Sequence, residues 1–273
     1  MRTAIVIVSY NSPEMTDGLV ETIRKVIKRD NDIYVIDGGE RKSEEADIWF
    51  GSKKGGDIRM TKKIIAGLWY SGRIEEWQGE FLYDSYWILV NDVILQSDVL
   101  TPMMRYIERD KMEGNKAVGM IHPAIENSPC QTLLPDGKIK KVSFVEFICP
   151  LFSREVIENV DLFDGRFHYG WGLDYEIPHL LFREGYRVYV DGRVSVIHNA
   201  GTTVKMGADK DFSTISEQFK ASRENMLSVL REKYGKKWGQ IFLDAIPPDV
   251  EKYSYRFWVE KFTGDYIFEE GRR

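Results

Sequence analysis

Short, unbroken apolar runs alternate with stretches of helical period along the first half of the chain. Ala4–Val8, Ile33–Ile36, Tyr86–Val90 and Val118–Ile121 are such runs. Runs of this kind suit strands buried on both faces, as in a parallel sheet. Between the first two, Leu19, Ile23, Val26 and Ile27 recur at helical spacing, with Ser12 as a cap and Pro13 at the first helical position. Met60–Tyr70 and Leu100–Ile107 have the same period. This order predicts a doubly wound α/β sheet, whose ligands sit outside the carboxyl ends of its strands. Residues 40–58 are charged and glycine-containing, hence a loop, and 123–141 read as irregular around the tight turn Pro135-Asp136-Gly137. Phe144–Phe152 reads as a strand and Arg154–Val160 as a short helix.

The second half concentrates its chemistry in residues 163–201. Gly170 and Gly172 around Trp171 predict a loop with close backbone approach. Asp174 and Glu176 open a helix with Ile177, Leu180 and Leu181 on its apolar face, and Gly185 closes it. Two strands follow, Arg187–Val190 and Val194–Ile197, and deliver His198 into a turn. A carboxylate at a helix start and a histidine at a strand end can then meet at one rim of the sheet. Phe212–Tyr234 predicts a long helix with Phe219, Met226, Leu227 and Leu230 inward. From Lys236 the tail is rich in Trp, Tyr and Phe, as a packed extension or an interaction surface.

Composition narrows the class. The 273 residues are 43% hydrophobic and 30% charged, as in ordinary globular proteins. No apolar run approaches the ~18 residues of a membrane span, and the opening MRTAIVIVSYNS reads as a strand rather than a signal peptide. Cys130 and Cys149 make no disulfide framework, so a reducing, cytoplasmic setting is expected. The net charge of −5 argues against a nucleic-acid partner. The aromatic tail leaves peripheral membrane contact open.

An ordered series of motifs carries a family resemblance. AIVIVSYNS is followed by DIYVIDGG, YWILVNDVIL, VGMIHP, FICPLFSREVIENVDLFDGRF, GWGLDYE, REGYRV and VIHNAGT, then a helix ending in REKYG. From about Thr3 to Gly235 the chain resembles the glycosyltransferases of family two. The resemblance implies the GT-A fold: a mixed, mainly parallel sheet flanked by helices, with a Rossmann-like nucleotide-binding half and a helical C-terminal extension. It implies a catalytic domain over 1–235, with a nucleotide-sugar half (1–97), an acceptor half (98–205) and a packing helix (206–235), before an extension over 236–273.

The activity implied is inverting transfer of a sugar from a nucleotide-diphosphate sugar, UDP-linked by preference, to a saccharide or glycolipid hydroxyl. Such transfer needs a neutralised leaving diphosphate, a base for the acceptor hydroxyl and in-line placement. Asp92 matches the last acid of the family's metal-binding triplet, which here reads Val90-Asn91-Asp92 with valine for the first acid. Asp92 would anchor Mn²⁺ or Mg²⁺, with Asn91 assisting. His198 matches the late histidine of the family and would ligate the metal or touch the diphosphate. In the acidic pair at the helix start the first position is Leu173 and the second Asp174, which becomes the expected base, with Glu176 as its rival. Ser9, Tyr10, Asn11 and Asp37 would hold the nucleotide, and Arg59 and Lys63 would meet the diphosphate as cations. Trp171 would stack on an acceptor sugar, with Gly172 and His168 beside it.

Two other classes compete. A degenerate relative would bind nucleotide sugar without transfer, a reading kept open by Val90 and Leu173. A sugar-nucleotide pyrophosphorylase would need a glycine-rich, basic loop after the first strand, and SYNS is neither.

Overall fold

In the computed structural model of the chain, residues 2–10, 12–38, 44–51, 59–78, 83–115, 118–200, 202, 212–252, 255–256 and 259–260 are described. β1 (Thr3–Ser9), α1 (Pro13–Val26) and β2 (Asn31–Asp37) form the predicted opening unit. Every residue of β1 is buried, as its unbroken apolar run requires. β3 (Ile48–Gly51) then pairs parallel with β2 inside the stretch expected to be a loop. Its aromatic residues are only partly buried, which is why the flanking charges masked the strand. α2 (Met60–Gln78) leads to β4 (Ser85–Val90), parallel to β1, and β5 (Val93–Leu95) follows at once. The next elements are α3 (Leu100–Met112), β6 (Val118–Ile125), β7 (Ile139–Lys141), β8 (Leu151–Ser153) and α4 (Arg154–Asn159). The chain then runs through α5 (Leu173–Arg183), β9 (Arg187–His198), α6 (Ile215–Tyr234) and α7 (Trp238–Ala245).

The strands form one sheet in the order β3-β2-β1-β4-β8-β6-β9-β5, with β7 also on β9. The long ladders, β1 with β2 and β4 and β6 with β9, are parallel. The antiparallel ladders of β8, β5 and β7 span three residue pairs or fewer. The sheet is therefore mixed and mainly parallel by length. β1 and β4 end at the same rim, where Ser9, Asn91 and Asp92 leave the sheet.

Three further strand expectations change. Val142–Pro150 is not a strand; only Leu151–Ser153 pairs, and the preceding apolar residues pack in the core as irregular chain. β9 is one strand, not two. Gly192 at its centre allows the 136–138 turn to pack directly on it, since a Cβ there would lie 2.3 Å from Asp136 Oδ1 and 2.8 Å from the Lys138 carbonyl. β7 lies within the segment expected to be irregular.

The larger of two core clusters runs from Ile5 to Val259 and includes Trp238, Phe242 and Leu243 of α7, while Ala4, Val6, Tyr34, Ile36, Tyr83 and Tyr86 form a smaller one. The described part of the tail is thus a packed extension. Phe242 stacks on His179 of α5 at 4.1 Å, and Trp238 meets Tyr175 edge-on. Both cysteines are buried free thiols. Among the described residues no helix is long and apolar enough to cross a membrane.

Candidate active site

A cleft of about 440 Å³ opens at the carboxyl rim of β1 and β4. Of the residues expected there, Ser9, Tyr10, Lys63, Asn91, Asp92, Trp171, Asp174 and His198 line it. The sheet thus brings residues from the first 92 positions and residues from 171–198, some 80 positions or more apart in sequence, to one opening.

At the end of β1, Lys63 projects from α2 and donates its ammonium to the Ser9 carbonyl at 2.8 Å. The same Nζ lies 4.9 Å from the centre of the Tyr10 ring, a cation–π distance. Gly38 makes room for both: a Cβ there would sit 2.6 Å from Lys63 Nζ and 2.7 Å from the Tyr10 ring. Ser9 and Asn91 are tied up differently from expectation. Their side chains form a buried cluster with Thr16, with Asn91 Nδ2 donating to Ser9 Oγ at 3.1 Å and to Thr16 Oγ1 at 3.2 Å. Ser9 and Thr16 hydroxyls meet at 2.8 Å. This cluster fastens the ends of β1 and β4 to α1. Asp37, buried at the end of β2, and Arg59, just before α2, are not among the lining residues. Asn11 lies outside the described residues.

Asp92 and His198 face each other because β5 pairs antiparallel with the end of β9, setting Val93 opposite His198. The Asn199 amide donates to the Asp92 carbonyl at 3.0 Å. Asn127 clamps His198 from the other direction, accepting from its amide at 3.1 Å and donating to its carbonyl at 2.7 Å. His198 Nε2 stands 3.6 Å from Asp92 Oδ1, and Nδ1 stands 3.6 Å from Glu146 Oε2. Burial disfavours the imidazolium, but the two carboxylates outweigh it and raise His198 to about 9.

Glu146 is a cleft residue that the sequence reading missed. It is a single acid inside the apolar run 142–152, and a charge in such a run is rare unless paired. That was the available signal. Its Oε1 accepts from the Ser128 hydroxyl at 2.6 Å. Burial would raise its pKa, but His198 and Ser128 hold it below the usual carboxylate range.

Asp174 lies in the first turn of α5. Gly172 caps this helix with φ 104°, a conformation that favours glycine, and a Cβ there would strike the Phe167 ring at 2.4 Å. Asp174 Oδ1 accepts from the Phe147 amide at 2.6 Å. Burial pushes its carboxyl up to about 7, the Phe147 amide opposing and the Glu146 charge adding to the rise. Glu176, two residues on, points elsewhere. It is fully buried and accepts from the Tyr234 hydroxyl at 2.7 Å while paired with Lys233. The structure separates the two rivals: Asp174 lines the cleft, and Glu176 joins α5 to α6.

The remaining wall is aromatic and apolar. Trp171 packs against Phe219 of α6 with centroids 5.3 Å apart, and Tyr169 meets Phe212 at 5.6 Å. Phe219 is 42% exposed rather than inward. Ser222 and Gln218 are the polar residues of α6 that line this side. His168 is not a lining residue. Its carbonyl accepts from the Met60 amide at 2.6 Å and its amide donates to Asn225 at 2.9 Å, tying α2 to α6.

Among the described residues no group of three or more His, Cys, Asp or Glu side chains has the geometry to hold a metal ion. The Asp92–His198 pair nonetheless fits a divalent cation that also takes phosphate oxygens. A carboxylate oxygen and an imidazole nitrogen 3.6 Å apart can serve as neighbouring ligands.

No protein-family model matches the chain, and no curated protein matches it in sequence. Its structure is similar to that of S. aureus TarS, with a TM-score of 0.57 at 9% identity over 91% of this chain and 50% of that one. It is similar to GalNAc-T7 solved with UDP, GalNAc and Mn²⁺, with a TM-score of 0.57 at 12% identity over 99% of this chain and 56% of that one. A shorter TarS structure, residues 1–349 in complex with UDP-GlcNAc, matches with a TM-score of 0.53 at 9% identity over 90% and 82%. The chain thus spans about half the length of the full TarS and GalNAc-T7 chains it matches. At these identities the likeness concerns architecture: the chain has the GT-A fold.

Proposed function

We propose that the chain is an inverting glycosyltransferase that moves a sugar from a nucleotide-diphosphate sugar, UDP-linked by preference, to a hydroxyl of a saccharide or glycolipid. The observation that carries this reading is one cleft lined by the Asp92–His198 pair, the high-pKa carboxyl of Asp174 and the Trp171–Phe219 wall. Structures of similar fold contain UDP, UDP-GlcNAc, or UDP with GalNAc and Mn²⁺, which supports a sugar nucleotide as the donor.

In this reading Tyr10 packs on the nucleotide and Lys63 supplies a cation beside its diphosphate. Asp92 and His198 would hold a divalent cation, Mn²⁺ or Mg²⁺, in place of the proton that the two carboxylates keep on the imidazole without it. When bound, such a cation neutralises charge on the leaving diphosphate. The acceptor sugar lies on Trp171 and Phe219, whose faces suit the C–H patches of a pyranose. Its hydroxyl oxygen attacks the anomeric carbon from the face opposite the diphosphate. The new C–O bond forms as the old one breaks, the electron pair leaves with the nucleotide diphosphate, and Asp174 takes the hydroxyl proton. A single displacement inverts the configuration. The rival reading, a protein that binds sugar nucleotide without transfer, draws on the apolar Val90 at the cleft and the buried Leu173 beside Asp174.

A thermal-shift panel of nucleotide sugars with Mn²⁺ tests the donor class. A UDP-sugar is expected to raise the melting temperature, because a ligand that binds only the native state stabilises it by mass action. No shift with any nucleotide sugar contradicts both readings. A shift with no released nucleotide over long incubation, with or without acceptors, favours the binding protein.

A further inference from the structure

We propose that Glu146 is a positioning residue that fixes the ring of His198 for its role toward the donor's cation. The proposal rests on the transferase reading above and deepens it. The two nitrogens of the His198 ring address different carboxylates, Nε2 towards Asp92 and Nδ1 towards Glu146, each at 3.6 Å. A histidine that ligates a metal through one nitrogen characteristically gives its other N–H to a carboxylate or carbonyl. That partner fixes the tautomer and the plane of the ring. Glu146 occupies this position, and Asp92 stands where the cation would be shared.

The carboxylate is itself held. Ser128 donates to its Oε1 at 2.6 Å, leaving Oε2 for the imidazole. The backbone beneath it is anchored in three directions. The Val90 amide donates to the Ile148 carbonyl at 2.9 Å, joining the segment to β4 just before Asn91 and Asp92. The Cys149 amide donates to the Nε2 of buried His122 at 3.3 Å. The Phe147 amide donates to Asp174 at 2.6 Å. Residues 146–149 therefore make the irregular apolar segment a brace: the side chain of Glu146 reaches the histidine, and the next amide holds the base. An acid placed only for solubility would not sit within an apolar run with both oxygens engaged.

Calorimetric titration of UDP, with Mn²⁺ and with EDTA, separates positioning from a general loss of fold. The wild-type chain is expected to bind UDP more tightly with Mn²⁺. Glu146→Ala is expected to lose about 10- to 100-fold of that metal-dependent gain, with binding in EDTA changed less than about 2-fold. Glu146→Gln, whose side-chain oxygen can still accept from Nδ1–H, is expected to recover most of the gain. The double variant Glu146→Ala/His198→Ala is expected to fall no further than His198→Ala alone, because residues acting through one another are not additive. A full metal gain in Glu146→Ala, or losses that add in the double variant, overturns the proposal and leaves the transferase reading standing. No metal gain in the wild-type chain overturns the cation role of His198 and the proposal with it. Should Glu146→Ala fail to fold, Ser128→Ala, which releases Oε1 and also the Cys130 amide held by the same hydroxyl at 3.0 Å, decides by the same comparison: a reduced gain with EDTA binding kept supports the brace and an unchanged gain overturns it.

Discussion

Asp174 and Glu176 differ in what each side chain touches. Sequence placed both acids in one helical turn, where either could serve as base. Two residues along a helix is about 200° of rotation, so the two carboxylates face opposite ways, one to the cleft and one to Lys233 and Tyr234. Helical geometry made their separation legible; which face met the cleft was not, because it depends on how α5 packs. A base poised near neutral pH is efficient, and burial brings Asp174 to about 7. Asp174→Asn should lower transfer by roughly 10²- to 10⁴-fold with UDP binding kept; a variant with near-normal turnover would exclude Asp174 as the base. Wild-type kcat/KM should fall as pH drops below about 7, where the carboxylate takes up a proton. Stability should move the other way. In the unfolded chain the group ionises near pH ~4, so the folded state gives up stability as pH rises from there through about 7. Asn cannot ionise, so Asp174→Asn should be the more stable protein above that range, by roughly 1–3 kcal/mol after allowing for cleft water. Chemical denaturation at pH 5 and pH 8 measures the difference, and a variant no more stable than wild type at pH 8 would contradict the buried-acid account.

At the scale of elements, the sequence pattern identified the long pieces and the short helix α4, and missed the short strands β3, β5 and β7. The helical stripe of α6 carries Phe219 and Met226, and both line the cleft. A period says which residues share a face, not whether that face meets protein or a cavity. Phe219 therefore reads as core in sequence and stands half exposed against Trp171 in the structure. This predicts that Phe219→Ala raises the acceptor KM about 2- to 10-fold, the scale of one aromatic contact, while UDP affinity stays unchanged. Equal KM values for variant and wild type would remove α6 from the acceptor site. β5 has three residues, too few for any pattern, yet its pairing with β9 is what sets Asp92 against His198. Asn127, which clamps the His198 backbone, sits in a stretch readable only as irregular turn. Glu146 is similar: the run around it looked like a strand, and its irregular course is what frees the side chain for the cleft.

Across the whole molecule, the doubly wound order of strands and helices points to the rim after β1 and β4, where the structure has a cleft. That much follows from unbroken apolar runs and their spacing, because a parallel sheet buries both faces and aligns the ends of its strands. Of the residues expected to hold the nucleotide, Ser9, Tyr10, Lys63, Asn91 and Asp92 line the cleft, and Asp37 and Arg59 do not. Lys63 and Tyr10 pack on each other there, whereas Ser9 and Asn91 spend their side chains joining β1, β4 and α1. The aromatic tail became legible only as packing: Trp238 and Phe242 close the core over α5. The central claim is that this rim holds a nucleotide diphosphate through a cation bound at Asp92 and His198. Its most direct test is calorimetric titration of UDP into the wild-type chain and Asp92→Ala, each in Mn²⁺ and in EDTA. The account predicts tighter binding in Mn²⁺ for the wild type and no such gain for Asp92→Ala; equal affinity with Mn²⁺ and with EDTA in the wild-type chain would contradict it.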